Sequence, residues 1–133
     1  MVKVLDASAI VLFFEAKPGC EKIKDLFVNA LQEKVLLLVT TVNWGESRYV
    51  LIRKYGRQEA QKIFQVFETL PIQIVDVDKD IALCASDFKS RYKIGYLDAL
   101  AAALAKVRKA ECVTADSDFN VLKDEIKIAL INS

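Results

Sequence analysis

The chain alternates short apolar runs with longer segments whose apolar residues recur at helical spacing. The runs are buried-strand candidates because they are nearly continuous in apolar residues; they cover residues 2–5, 35–40, 72–77, 112–114 and 126–131. Strands that alternate with helices return to the same edge of a sheet, so this order predicts an α/β fold. We expect a mainly parallel, five-stranded sheet that is covered by helices on both faces.

The segments between these runs predict the helices. Apolar residues recur through residues 23–31 and 60–70, and Gly56 is placed to end one helix before the next begins. Asp78 is a candidate cap for the following helix, and a last helix is expected over residues 96–109. The alanines after Asp98 fit either close packing on the sheet or simple helix propensity.

Composition limits the class of protein. The 133 residues are 53% hydrophobic, with 19 basic and 18 acidic side chains, which is typical of one folded domain over residues 1–133. Three cysteines without CxxC spacing are expected to be core thiols in a reducing compartment: Cys20, Cys84 and Cys112. With no targeting segment and no apolar run of membrane-spanning length, we expect a cytoplasmic protein that does not contact a membrane.

The chain contains no histidine. This excludes zinc sites of the HExxH type, Ser-His-Asp and Cys-His catalysis, and any histidine general base. Catalysis, if present, has to use carboxylates, hydroxyls, lysine or a bound metal ion.

Four acids are predicted to meet at one edge of the sheet. Asp6 and Asp116 follow the first and fourth strands, Glu46 lies just beyond the second, and Asp98 begins a helix that leads into the fourth. Ligand sites in such folds lie at the carboxyl ends of the strands, where all four would converge. Ser8 and Thr114 are placed to orient Asp6 and Asp116, Asp118 is a possible additional ligand, and the third strand brings two further acids to this edge: Asp76 and Asp78.

Each acid also has a structural interpretation. Asp6 and Asp116 are potential caps, Asn43 and Glu46 have the spacing of a reciprocal capping pair, and Asp98 suits the first turn of a helix. Capping does not require the four to meet, however, and two carboxylates about 5 Å apart repel by roughly 3 kcal/mol at an effective dielectric of 20. Oxygen ligands without histidine or cysteine favour Mg²⁺ or Mn²⁺, which points to phosphoryl chemistry.

Four segments together resemble the PIN domain family, and in particular VapC-type toxins. They contain Asp6 in Val4-Leu5-Asp6-Ala7-Ser8, Glu46 in Asn43-Trp44-Gly45-Glu46, Asp98 in Tyr96-Leu97-Asp98-Ala99, and Asp116 in Thr114-Ala115-Asp116-Ser117-Asp118-Phe119. The resemblance implies a three-layer α/β/α fold and a ribonuclease that uses Mg²⁺ or Mn²⁺. It further implies a homodimer and inhibition by a cognate antitoxin, with Asp6, Glu46, Asp98 and Asp116 as catalytic and metal-binding residues.

Basic and aromatic side chains near these acids are candidate RNA contacts or, equally, a solvated face with rings in the core. They are Lys89, Arg91, Lys93, Arg48, Arg53, Lys54, Arg57, Tyr92, Tyr96, Tyr49 and Trp44. The excess apolar residues Val28 and Val50 suggest a partner surface. A phosphoacceptor receiver domain and a haloacid-dehalogenase-type phosphatase lack their required acids here, so the main alternative is a catalytically silent PIN-like module that binds RNA or protein.

Overall fold

A computed structural model describes residues 1–132 of the chain. Five strands form one sheet in the order β3-β2-β1-β4-β5, and every neighbouring pair is parallel. The strands are β1 (Val2–Leu5), β2 (Leu36–Thr40), β3 (Gln73–Val75), β4 (Glu111–Thr114) and β5 (Lys127–Leu130). The predicted α/β fold is confirmed, and the sheet is parallel throughout.

Both faces of the sheet are buried because consecutive strand residues contribute to opposite cores. In β1, Val4 packs into one core and Leu5 into the other, and Cys112 and Val113 divide in the same way in β4. All four side chains are at most 2% exposed. This is why the strands are nearly continuous in apolar residues instead of alternating with polar ones.

Six α-helices and one 3-10 helix cover the two faces within the described residues. They are α1 (Ala7–Phe14), α2 (Cys20–Leu31), α3 (Thr41–Tyr55), α4 (Arg57–Phe67), α5 (Lys79–Arg91), α6 (Tyr96–Arg108) and the 3-10 helix Ser117–Leu122. Helices α1 to α4 pack mainly on one side of the sheet, and α5, α6 and the 3-10 helix pack on the other. The three-layer arrangement is therefore as predicted.

Helix α6 lies against the centre of the sheet. Its alanines are fully buried, each with 0% exposure: Ala99, Ala101, Ala102, Ala103 and Ala105. Residues without a longer side chain let the helix axis approach the strands closely. Close packing, rather than helix propensity alone, thus accounts for the alanine run, and it brings the first turn of α6 to the carboxyl edge of the sheet.

Two helix boundaries bear on the site. Gly56, at φ 87°, ends α3 as predicted from the sequence, since a left-handed backbone suits glycine. At the other end of α3, Thr40 is both the last residue of β2 and the N-cap of the helix, so strand and helix are joined without a loop. The position of Glu46 is consequently fixed by the end of β2.

The cysteines are free thiols, and Cys112 is buried as predicted, whereas Cys20 and Cys84 are half-buried. Across residues 1–132, every helix is too short or too polar to serve as a transmembrane span.

Candidate active site

The four predicted acids line one open cavity of about 400 Å³ at the carboxyl edge of the sheet. Asp6 follows β1, Asp116 follows β4, Glu46 lies in the second turn of α3, and Asp98 lies in the first turn of α6. They come from four segments that are distant in sequence. The predicted convergence of these side chains is therefore present in the structure.

Asp6 is the most buried member, with 2% exposure. It is the N-cap of α1, and its Oδ1 accepts a hydrogen bond from the backbone N–H of Ala9 at 2.9 Å. The hydroxyl of Thr114 donates to its Oδ2 at 2.6 Å, and the hydroxyl of Ser8 lies 2.8 and 2.9 Å from the two oxygens. Both carboxylate oxygens are thereby fixed by donors.

The two hydroxyls connect Asp6 to the segment that carries Asp116. The backbone N–H of Asp116 donates to Thr114 Oγ1 at 3.0 Å, and that of Ala115 donates to Ser8 Oγ at 2.9 Å. Each hydroxyl oxygen thus accepts a hydrogen bond from a backbone N–H of the segment after β4 and at the same time contacts the Asp6 carboxylate. The expectation that Ser8 and Thr114 orient this part of the site is confirmed for Asp6.

Asp98, Asp116 and Asp118 form the tightest group of carboxylates in the described chain. One oxygen from each can be chosen so that all three lie within 4.8 Å of one another. Asp116 also caps the 3-10 helix by accepting from the N–H of Asp118 at 2.9 Å, as its capping interpretation predicted. Asp118 is exposed, and the sequence identified it only as a possible additional ligand.

The capping interpretation of Glu46 is wrong. The reciprocal pair is Thr40 with Asn43: Thr40 Oγ1 accepts from the N–H of Asn43 at 2.9 Å and donates to its side-chain oxygen at 2.6 Å. The helix begins three residues earlier than a cap at Asn43 requires. Glu46 is therefore free of a capping role.

Asn43 was not predicted to shape the site. Its side chain is fully buried, and its Nδ2 donates to the backbone oxygen of Leu97 at 3.0 Å. This bond joins the start of α3 to the first turn of α6, next to Asp98. The signal in the sequence is an amide three residues after Thr40: its capping partner is Thr40, although its side chain also contacts Glu46 and lowers the pKa of that carboxyl.

Burial and mutual repulsion perturb three of the acids. Burial raises the pKa of Asp6 to about 6, even though the hydrogen bonds from Thr114 and Ala9 lower it. Burial also raises the pKa of Asp98 to about 6, with further contributions from the charges of Asp116 and Asp6. The pKa of Glu46 is raised by burial, against the lowering effect of a hydrogen bond from the Asn43 side chain, and the charge of Asp98 raises it to a lesser degree. The protein thus places like charges together at a cost that a cation would offset.

Other predicted candidates lie elsewhere. Asp76 and Asp78 are exposed and do not line the cavity, and Asp78 caps α5 by accepting from the N–H of Ile81 at 2.9 Å. The Trp44 ring packs edge-on against Phe64, with its Nε1 buried and unpartnered within the described residues, so it belongs to the core.

The tyrosines differ in availability. Tyr92 is half-buried, and its hydroxyl donates to Glu125 at 2.8 Å. Tyr49 and Tyr96 are 45% and 44% exposed, and the Arg53 guanidinium lies over the Tyr49 ring at 5.7 Å. Only these two remain accessible for stacking among the tyrosines that we singled out as RNA contacts.

The cavity also contains residues that the sequence did not connect with it. These additional lining residues are Glu15, Lys17 and Asn132. Lys54 lines the cavity as well, and it is one of the predicted RNA contacts. The Asn132 side chain donates to the backbone oxygen of Ala115 at 3.0 Å, which ties the chain after β5 to the segment before Asp116. The site is therefore acidic at one part of its wall and basic at another.

The donor set fits a hard divalent cation. All candidate ligands are carboxylate oxygens, the type that Mg²⁺ and Mn²⁺ prefer, and neither thiol nor imidazole is available at the cavity. Three of these carboxylates come close together, those of Asp98, Asp116 and Asp118. A fourth, Asp6, lines the same cavity and is held by hydrogen bonds.

A sequence profile of the PIN domain matches residues 3–125, which is most of the chain. The chain belongs to the PIN domain family. The resemblance predicted from the four acidic segments is thereby confirmed. A sequence search of curated proteins found no significant relative of this PIN domain.

Solved structures share its fold at low sequence identity. VapBC2 from Rickettsia felis, bound to a DNA fragment of its promoter, superimposes with a TM-score of 0.78 at 16% identity, over 97% of this chain and 98% of that one. VapBC-1 from Haemophilus influenzae gives 0.73 at 17% identity over 100% of both chains. VapC20 from Mycobacterium tuberculosis, described as a sarcin-ricin loop cleaving toxin, gives 0.70 at 16% identity over 90% and 93%.

Proposed function

We propose that this PIN domain is an endoribonuclease that hydrolyses RNA phosphodiester bonds with Mg²⁺ or Mn²⁺. The observation that carries the proposal is the convergence of Asp6, Glu46, Asp98 and Asp116 on one cavity. Burial first, and then repulsion by Asp116 and Asp6, raises the pKa of Asp98, so the arrangement is costly for folding alone and a bound cation would offset that cost.

In this proposal the four acids have different roles. Asp98 and Asp116 would hold the metal, with Asp118 as a third oxygen donor. Glu46 would add a further negative charge at the cavity wall to attract the cation. A bound Mg²⁺ or Mn²⁺ supplies a nucleophilic water at neutral pH and neutralises charge on the phosphate. Asp6 presents a fixed carboxylate because Thr114, Ser8 and the N–H of Ala9 determine its orientation.

The biological setting is proposed from structural relatives. VapBC2 and VapBC-1 are described as VapBC proteins, and VapC20 is described as a toxin that cleaves the sarcin-ricin loop. By analogy, we propose that residues 1–133 are a single-domain VapC-type toxin, homodimeric and cytoplasmic, and that a cognate antitoxin protein neutralises it.

RNA binding would use the face around the cavity. Tyr49 and Tyr96 are exposed, and each lies near one of the acids, three residues after Glu46 and two before Asp98. Exposed rings of this kind stack on bases, and the paired Arg53 adds a positive charge.

The alternative is a catalytically silent PIN-like module that binds RNA or protein. Such a module needs no intact set of acids, yet all four are present, and Asp6 is held by a full set of hydrogen bonds. This favours the enzyme.

The test is cleavage of end-labelled structured RNAs, including a sarcin-ricin loop hairpin, by purified protein with Mg²⁺, Mn²⁺ or EDTA. The control is Asp98→Asn protein, purified identically to exclude contaminating nuclease. We expect cutting that requires metal and that the variant lacks.

Equal behaviour of the two proteins on every RNA, with both folded and free of antitoxin, would overturn the nuclease proposal. Binding of RNA without cleavage would then support the silent module.

A further inference from the structure

The basic part of the cavity is organised around one buried carboxylate. The Glu15 side chain, at the C-terminal end of α1, is only 5% exposed and accepts hydrogen bonds from Lys54 Nζ at 3.2 Å and from the hydroxyl of Tyr55 at 2.5 Å. Lys17 Nζ lies 3.2 Å from its other oxygen. Three donors from two elements thus converge on a single acid.

The exposed charge of this cluster is positive. Lys17 and Lys54 side chains are 55% and 45% exposed, whereas the carboxylate between them is almost covered. Two ammonium groups and one carboxylate leave a net charge of about +1 on the solvent side. An anion in the cavity would meet the lysines and not Glu15.

The local backbone places Lys17 in this position. Ala16, between Glu15 and Lys17, has φ 51°, a left-handed conformation that costs a non-glycine residue roughly 1 kcal/mol or more. The turn ends α1 and brings Lys17 beside the carboxylate of Glu15, the residue at the C-terminal end of that helix. The conformation is that of a common helix ending, in which the N–H of Ala16 donates to the oxygen of Phe13 at 3.1 Å and that of Lys17 to the oxygen of Leu12 at 3.2 Å.

One lysine and one of the acids, Lys54 and Glu46, lie on the same face of α3. Glu46, Val50 and Lys54 recur every four residues and all line the cavity. At 1.5 Å per residue, Lys54 lies about 12 Å along the helix from Glu46. Lys17 and Lys54 are the only bases among the lining residues.

We propose that Lys17 and Lys54, positioned by Glu15, bind a backbone phosphate of the RNA next to the phosphate that is cleaved. This inference rests on the proposed ribonuclease function and assigns the substrate contact beyond the acids. The four acids of the proposed metal site repel a polyanion unless cations are present, and these lysines supply fixed positive charge at the end of the cavity away from those acids.

The test is the salt dependence of RNA binding, measured by fluorescence anisotropy with labelled oligouridine and Mg²⁺. All proteins carry Asp98→Asn to prevent cleavage. Each phosphate contact to single-stranded RNA contributes a slope of about −0.7 in log Kobs against log[salt]. We expect Lys17→Gln with Lys54→Gln to remove this one phosphate contact and reduce the slope by about 0.7, which is about 5-fold in affinity at 0.1 M salt relative to 1 M.

Three controls separate this role from a structural one. Lys24→Gln with Lys62→Gln removes the same charge from two lysines that do not line the cavity, and should leave the slope unchanged. Lys17→Arg with Lys54→Arg keeps the charge and should retain binding. Adding Glu15→Gln to the double glutamine variant removes the carboxylate that has lost both of its lysine partners and so guards against misfolding in the measurement.

Glu15 itself is tested by cleavage kinetics in the otherwise native chain. Glu15→Gln keeps both lysines and removes one negative charge. Electrostatics alone therefore predicts tighter RNA binding and a lower KM. If Glu15 instead holds the two lysines in place, its loss should raise KM and leave kcat unchanged. We expect this second result. A lower KM would overturn the positioning role of Glu15.

The outcomes distinguish the two proposals. Unchanged slopes in the glutamine variants, together with metal-dependent cleavage by the native chain, would overturn this inference alone. Absence of both cleavage by the native chain and oligouridine binding by the Asp98→Asn protein would overturn the ribonuclease function and this inference with it.

Discussion

Cavities lie at both edges of the sheet, and they differ in how charge is arranged. The cavity at the amino edge is larger, about 580 Å³, and brings together lysines and glutamates that pair: Lys3 with Glu111, and Lys106 with Glu125 at 3.5 Å. The cavity at the carboxyl edge, about 400 Å³, contains Glu15 with its two lysines and, apart from them, four carboxylates without basic partners within residues 1–132, of which Asp6 and Asp98 have raised pKa values.

The difference shows that cavity size alone does not identify the site. The cavity at the amino edge is lined by four lysines and two glutamates, and each glutamate has a lysine partner, so no carboxylate there requires a cation. The four acids at the carboxyl edge repel one another until a cation binds between them. The smaller cavity is therefore the one suited to a metal ion.

One strand offers the sharpest test of this contrast, because β4 has an acid at each end. We expect Asp116→Asn to lower kcat of RNA cleavage by more than about 100-fold, since it removes a proposed metal ligand. Glu111→Gln, at the opposite end, should leave kcat unchanged. The measurement is single-turnover cleavage of an RNA that the native chain cuts.

A comparable loss in both variants would show that the two edges do not differ in function. A loss confined to Glu111→Gln would reverse the assignment of the edges.

The hydroxyls around Asp6 provide a second test. Thr114→Val removes the 2.6 Å donor to Asp6 Oδ2, so we expect kcat to fall by about 10- to 100-fold, as is typical when a ligand-orienting contact is lost. Because that hydrogen bond lowers the pKa of Asp6, the acidic limb of the pH-rate profile should also move to higher pH.

The matched control is Thr69→Val, which removes an exposed hydroxyl that donates to the backbone oxygen of Val66. Its kcat and pH profile should equal those of the native chain. An unshifted profile in Thr114→Val would contradict the orienting role.

The third test uses stability. The pKa of Asp6 is raised from 3.8 to about 6, so the folded protein binds more protons than the unfolded chain between these values. The free energy of unfolding therefore falls as pH rises through this range, by up to about 3 kcal/mol for Asp6. In EDTA, we expect Tm to decrease by about 5 to 10 °C from pH 4.5 to 7.5.

Bound cation should reverse this dependence. Mn²⁺ requires ionised carboxylates, so it should raise Tm above pH 6 and have little effect near pH 4.5. The measurement is thermal denaturation with and without Mn²⁺ at the two pH values. Equal stabilisation at both would show that the acids of the cavity are not the ligands.

The sequence predicted the fold and the four acids because both follow from local patterns. Apolar runs locate the strands, and parallel topology delivers Asp6 and Asp116 to one edge. Strand ends were less certain: residues 72–77 were expected in the third strand, but only Gln73–Val75 pair with β2. Asp76 and Val77 lie beyond the last pair, and an apolar run does not report where hydrogen bonding stops.

The remaining parts of the site depend on packing between distant segments. Glu15 and Lys54 are 39 residues apart and meet only because the C-terminal ends of α1 and α3 lie together. Asn43 was assigned to Glu46 because a helix start was placed three residues late, which spacing alone does not settle when a strand passes directly into a helix. Neither contact leaves a periodic signal in the sequence.

Asp6 begins helix α1 as well as facing the cavity, and this affects how the chain can lose its activity. A replacement at Asp6 removes a helix cap and disturbs the buried hydroxyl of Thr114 and the half-buried hydroxyl of Ser8, whereas Asp98 lies in a helix whose N-cap, Gly95, makes no side-chain hydrogen bond. Inactive descendants of this protein that remain well folded should thus arise more often by substitution of Asp98. In a collection of natural variants, Asp6 would be retained in chains that have already lost Asp98.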